Sequence, residues 1–198
     1  MTDTPDLAAL VGSRICHDLI SPLGAIGNGV ELLGEMAAAA GPELALIAES
    51  VAAANARIRF YRVAFGAPGG DQRIARQEVL SILADLAQGS RLVIDWQMPG
   101  DQLRADVKLA FLLIQCLETA LPYGGRINVA AAGRGWLLTG NAPRTKQDAE
   151  LWTALEHRKA PEALTPAQVQ FALATEELRR RGLSLDCTRN DTEIRLGF

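Results

Sequence analysis

The residues of this chain with the most obvious capacity for chemistry lie together near its N-terminus, in Ile15-Cys16-His17-Asp18-Leu19-Ile20-Ser21-Pro22-Leu23. An imidazole stands beside a carboxylate, and a proline follows five residues after the histidine. Histidine changes charge near neutral pH, and its two ring nitrogens can take different roles. A carboxylate bonded to one nitrogen fixes the tautomer and leaves the other a better nucleophile. From residue types and spacing alone, two readings stand: a site of covalent phosphorylation, or an ordinary surface histidine. The only other histidine, His157 in Leu155-Glu156-His157-Arg158-Lys159, belongs to a short polar helix and reads as a surface residue.

Helical geometry places His17. Leu19, Leu23, Ile26, Val30 and Leu33 recur at gaps of four and three, an apolar seam along a helix spanning about 6–38. At about 100° per residue, His17 lies roughly 160° from the mean direction of that seam. Ser21, Gly24, Asn28 and Ser13 fall within about 40° of it, so small and polar neighbours surround an outward-facing ring. A histidine satisfied inside the core is excluded. Pro22 has no N–H to offer the Asp18 carbonyl and tends to bend the helix there. Asp18 points sideways, within reach of the imidazole. Arg14, about 60° from His17, is placed either to meet phosphate oxygens and acidic partner residues or to sit solvated on the surface; Arg59 and Arg62 stand in the same position on the next helix. Gly24 and Gly27 would permit close approach, in return for the roughly 1 kcal/mol that a glycine costs a helix.

The elements that must position this site follow from periodicity. Gly41-Pro42 stops one helix and starts another. In the second, Leu44, Val51, Ile58 and Phe65 recur every seven residues, with Ile47, Ala54 and Tyr61 three after the first three. Two such helices form an antiparallel hairpin over residues 1–66, and a hairpin alone cannot enclose a core. Pairing with a second copy into a four-helix bundle resolves this. Gly66-Ala67-Pro68-Gly69-Gly70 marks a linker. Residues 72–198 then read as helix 74–88, strand 91–96, apolar helix 103–121, a hairpin around Gly133-Arg134-Gly135, helices 149–158 and 166–181, and a closing hairpin around Arg189-Asn190-Asp191. That order predicts an α+β chain: a helical hairpin followed by an α/β sandwich with a mixed sheet and helices on one face.

Composition narrows the function. The chain has 198 residues, 48% apolar and 22% charged, with a net charge of −3, so nothing suits it to a polyanion such as nucleic acid or to a membrane surface. Its longest apolar run, 109–117, is far short of the roughly 20 residues of a membrane span, and no basic region precedes an apolar stretch at the N-terminus. The three cysteines, Cys16, Cys116 and Cys187, are odd in number and irregular in spacing. They read as reduced core thiols of a cytoplasmic protein, with neither a disulfide frame nor a metal site. Arg179-Arg180-Arg181 suits a helix C-terminus, and Trp96, Trp136 and Trp152 are too scattered for a base-stacking platform.

The stretch His17-Asp18-Leu19-Ile20-Ser21-Pro22-Leu23 resembles the phospho-acceptor box of two-component sensor histidine kinases. In that family the histidine carries the phosphoryl group, the adjacent acid supports it, and a Thr or Asn is frequent where Ser21 stands here. Residues 113–129, Leu-Ile-Gln-Cys-Leu-Glu-Thr-Ala-Leu-Pro-Tyr-Gly-Gly-Arg-Ile-Asn-Val, resemble the kinase segment that opens the ATP-binding helix. Gln115 and Thr119 replace the two asparagines of that segment. Leu137-Leu138-Thr139-Gly140-Asn141-Ala142-Pro143-Arg144 lacks the adenine-binding Asp-x-Gly, and no glycine-rich run opens the helix before Gly182. A kinase scaffold without its ATP motifs is similar to the dimeric histidine phosphotransferases of the ChpT type, a likeness reinforced by Thr165-Pro166-Ala167-Gln168-Val169-Gln170.

That resemblance implies a phosphorelay intermediate with a degenerate ATP-binding-like domain. His17 and Asp18 would be catalytic, and Arg14, Ser21, Gly24 and Asn28 would meet receiver domains. The donor receiver would belong to a hybrid kinase and the acceptors to response regulators, including cell-cycle regulators. No cofactor is expected, magnesium being brought by the receiver. The alternatives are an ATP-dependent histidine kinase with divergent nucleotide motifs and a non-catalytic dimeric adaptor.

Overall fold

The computed structural model describes residues 7–35, 41–67, 69–159, 161 and 164–198. Helix α1 (Leu7–Glu35) runs through Pro22 and helix α2 (Gly41–Ala64) packs back along it. The expected turn between them, at 36–40, lies outside the described residues. The apolar seams divide. Leu19, Ile26 and Leu33 of α1 are half-buried, and Ala54 and Tyr61 of α2 are buried, so these close the hairpin. Leu23, Val30, Leu44, Val51 and Ile58 remain exposed instead. Apolar side chains thus ring α2 on several faces, the pattern of a helix with neighbours on more than one side.

The far end of α2 enters the core of the rest of the chain. Phe60, Val63 and Ala64 are buried there, and the Phe60 ring stacks on Phe111 at 4.6 Å and 4° between planes. Phe111 belongs to α4 (Arg104–Ala120), which is buried almost all round because α2, α6 (Val169–Arg180) and the sheet each cover part of it. Two cations on α4 finish the α2 terminus. Arg104 Nη2 donates to the Arg62 carbonyl at 3.0 Å, and Lys108 Nζ donates to the Gly66 carbonyl at 3.0 Å. Orphan carbonyls at a helix end attract cations in this way. Helix α3 (Arg76–Ala87) braces the other side of α2: Arg59 bonds Asp85 at 2.5 Å and Ser81 at 3.2 Å, and Arg62 pairs with Glu78 at 3.6 Å.

The sheet has five strands in the order β2 (Leu92–Trp96), β4 (Gly125–Ala132), β5 (Gly135–Asn141), β7 (Glu193–Gly197) and β6 (Asp186–Arg189). Only β2 and β4 run parallel, with α4 as their crossover; the other pairs are antiparallel. Alternation sends Ile127, Val129, Leu138, Ile194 and Leu196 into the core and leaves Arg126 and Arg195 exposed on the other face. Gly140 sits where α4 crosses β5; a Cβ there would come to 3.0 Å from Leu117 Cδ2. Gly133, at φ +60°, supplies the turn between β4 and β5. Every long helix and strand expected from the pattern is present, each shifted by a few residues at most. The addition is a two-stranded ribbon, β1 (Arg73–Ile74) with β3 (Gln102–Leu103), whose strands are too short for a periodic signal. Helix α5 (Ala149–Glu156) is N-capped by Asp148, and a 3₁₀ turn at Pro166–Gln168 leads into α6. Among the described residues no helix is long and apolar enough to cross a membrane.

A single cluster of buried side chains therefore joins the end of the hairpin to the α/β layers. Phe60→Ala would empty a large site within it. We expect a loss of about 3–5 kcal/mol in urea unfolding followed by far-UV circular dichroism, the usual range for a buried phenylalanine truncated to alanine.

Candidate functional site

His17 projects from the middle of α1 with its side chain 80% exposed, and its Nδ1 lies 3.0 Å from Asp18 Oδ1. Asp18 is the opposite case, only 11% exposed. A carboxylate so shielded needs donors, and they come from two sides. Arg14, one turn earlier on α1, donates Nε to Asp18 Oδ2 at 2.8 Å, and the Tyr61 hydroxyl of α2 donates to the same oxygen. One carboxylate oxygen is thus held twice while the other addresses the histidine. With Nδ1 occupied as donor to Asp18, Nε2 is the ring nitrogen open to react.

Arg14 departs from the expectation that it would face a partner. Its side chain is 14% exposed, and besides Asp18 it reaches the Ala167 carbonyl at 2.9 Å through Nη1. A helical wheel gives its direction from the α1 axis but not the 3₁₀ turn that occupies that direction. The same carbonyl accepts Gln170 Nε2 at 3.0 Å, and Gln170 Nε2 also lies 3.2 Å from Thr119 Oγ1. Thr119 in turn donates to the Gln115 and Cys116 carbonyls, at 2.8 and 3.0 Å. Gln115 is buried, and Thr119 is engaged with α6.

Ser21, Gly24 and Asn28 are exposed along the His17 face of α1, as expected, and so is Gly27. A Cβ added at Gly24 or Gly27 would meet nothing within 4 Å, so the chain's own packing does not demand glycine at either place. Beside this face a groove of about 630 Å³ runs between α1, α2 and the end of α3. Asp18, Ser21, Ala25, Ala53, Arg57 and Asp85 are among its walls. Arg59 and Arg62 are taken up by α3 and do not reach His17. His157 is exposed at the end of α5, with Nδ1 2.9 Å from the Thr153 carbonyl. Arg181 does more than end α6: it pairs with Asp106 and bonds the Ala105 carbonyl of α4 at 3.1 Å. Among the described residues no group of His, Cys, Asp and Glu is arranged to hold a metal. Tyr61, expected only as a seam residue, is the member of the site that pattern missed. A buried tyrosine needs a partner for its hydroxyl, and that was the one signal pointing to it.

Comparison with known proteins bears on the family and the fold. Residues 76–193 match the family model described as the histidine phosphotransferase C-terminal domain. The protein phosphotransferase ChpT of Brucella abortus (strain 2308) is 38% identical over 130 residues. That alignment spans 65% of this chain and 62% of the relative. A solved structure of a bacterial phosphotransferase superposes with a TM-score of 0.82 at 28% identity, covering 100% of this chain and 98% of that one.

Of the three cysteines, Cys116 and Cys187 lie in α4 and β6, and the Cys16 side chain lies outside the described residues. Cys116 is fully buried in α4, and burial pushes its thiol well above the usual range. Burial is also the main reason that Cys187 is pushed up to about 11; Glu156 adds to the rise and Arg189 opposes it. Thiolate is the nucleophile, so at pH 8 a thiol of that pKa is only about one part in a thousand ionised. Alkylation of Cys187 by iodoacetamide, followed by peptide mass spectrometry, is therefore expected to be slow at pH 8 and to accelerate steadily toward pH 11. Cys116 is expected to react only on unfolding.

Proposed function

Because the chain belongs to the histidine phosphotransferase family, we propose that it is a phosphorelay intermediate whose acceptor is His17. The observation that carries this reading is the pairing of an 80% exposed imidazole with a largely covered, doubly anchored carboxylate on its Nδ1. In the forward step the Nε2 lone pair attacks the phosphorus of an aspartyl phosphate on a donor receiver domain. A P–N bond forms as the acyl P–O bond breaks, and the aspartate leaves as carboxylate. The proton stays on Nδ1, where Asp18 offsets the positive charge that builds on the ring. The reverse sequence delivers the group to the aspartate of a response regulator. Such transfers depend on positioning and charge neutralisation, with little proton transfer for the protein to perform. Magnesium arrives with the receiver.

Receivers of a hybrid kinase and of response regulators would dock on Ser21, Gly24 and Asn28, where the bare backbone at Gly24 and Gly27 admits a close surface. A cytoplasmic homodimer completes the reading. Leu23 and Val30 of α1 with Leu44, Val51 and Ile58 of α2 form an exposed apolar band, which two copies would bury as a four-helix bundle. No ATP-dependent kinase activity is proposed: the resemblance sets Gln115 and Thr119 in place of the kinases' asparagines, and Thr119 is engaged by Gln170 of α6.

A receiver domain phosphorylated with radiolabelled phosphate should pass base-stable, acid-labile label to the wild-type protein and none to His17→Ala. Label persisting in His17→Ala overturns the assignment, and labelling of the pure protein by ATP and magnesium restores the kinase reading. For the dimer, light scattering at micromolar concentration should give twice the chain mass. Ile58→Glu, which places a charge in the apolar band, should give the monomer mass.

A further inference from the structure

We propose that Tyr61 is a positioning residue for phosphoryl transfer, fixing through Asp18 which nitrogen of His17 reacts. The inference rests on the relay reading above and extends it to a residue 43 positions away on the other helix of the hairpin. The ring of Tyr61 is held by its neighbours: it stacks on Phe65 at 4.8 Å and meets Phe60 edge-on at 6.1 Å. Phenylalanine at 61 would make both contacts equally well, as residues 60 and 65 themselves do. What tyrosine adds is a hydroxyl, and that hydroxyl donates to Asp18 Oδ2.

The direction of that bond matters. A carboxylate on a short side chain can rotate about χ2, and either oxygen could then meet the imidazole or neither. Arg14 Nε and the Tyr61 hydroxyl converge on Oδ2 from α1 and from α2, which fixes the plane of the group and turns Oδ1 toward His17 Nδ1. Donors to a charged acceptor away from water make strong bonds. Arg14 alone leaves rotation about its own bond axis; a second donor from a different helix removes it. With Oδ1 fixed, the Nδ1–H tautomer is favoured and Nε2 keeps its lone pair. Tyr61 touches neither the phosphoryl group nor the reacting nitrogen, so its influence passes entirely through the carboxylate.

The test is Tyr61→Phe in the full chain. Two-dimensional ¹H–¹⁵N correlation of the ring nitrogens of His17 reads the tautomer, and label transfer from a phosphorylated receiver domain reads the rate. The wild type should show the Nδ1–H form. Tyr61→Phe should show a mixture of tautomers, with transfer slower by roughly ten-fold, the lower end of what is lost when a group that orients a functional histidine is removed from metal sites. Unchanged tautomer overturns the proposal whatever happens to the rate, because a merely structural tyrosine could slow transfer without moving a proton. Should Tyr61→Phe fail to fold, Tyr61→Leu removes the same hydroxyl with an apolar side chain of another shape, and an unaltered tautomer there is equally fatal. If the wild type accepts no phosphoryl group at all, the relay reading fails, while the tautomer comparison still decides the role of Tyr61.

Discussion

The site depends on one requirement: a carboxylate taken out of water must be given donors. Asp18 is almost covered, yet it lies next to a histidine that is 80% exposed. Its donors can come only from the surrounding structure, and each draws a different element into place. Arg14 is on the same helix, one turn away. Tyr61 is on α2, so the bond to it fixes the register of the hairpin at that level. Arg14 in turn bonds the 3₁₀ turn ahead of α6, and so ties α1 to the C-terminal layers. The exposed imidazole is defined by what is buried beneath it.

A second constraint is the burial of α4. A helix that is apolar around nearly its whole circumference must be covered on all sides, and here α2, α6 and the sheet share the task. Gln115, Thr119 and Gln170 are committed to that covering. Thr119 bonds its own helix and Gln170 of α6, and Gln170 shares the Ala167 carbonyl with Arg14. A continuous line of hydrogen bonds therefore runs from the His17 ring to the helix at the centre of the α/β layers.

Much of this was legible in the sequence. The angle of His17 from the apolar seam follows from 3.6-residue periodicity, and Ser21, Gly24 and Asn28 are exposed on its face as the wheel requires. The longer strands and helices followed from alternation, glycine turns and heptad spacing. Contacts set by distant elements were not legible. Arg14 meets a carbonyl 153 positions on, and Tyr61 meets Asp18 across a hairpin whose register no local pattern states. The split of the seams, with Leu19 and Ile26 turned inward while Leu23 and Val30 stay outside, also needed the second helix in place. Periodicity gives the direction of a side chain from its own axis; what stands in that direction is a property of the whole fold.

The bond from Arg14 to the Ala167 carbonyl has a consequence for recognition. It joins α1 directly to the C-terminal layers, beside the attachment that α2 makes through the Phe60–Phe111 stack, so both helices of the hairpin are tied to those layers. A receiver docking at His17, as proposed above, would meet a template whose angle is already set. Little ordering entropy is left to be lost on association, so selection among competing partners rests on fit in the first encounter rather than on any closing movement around them.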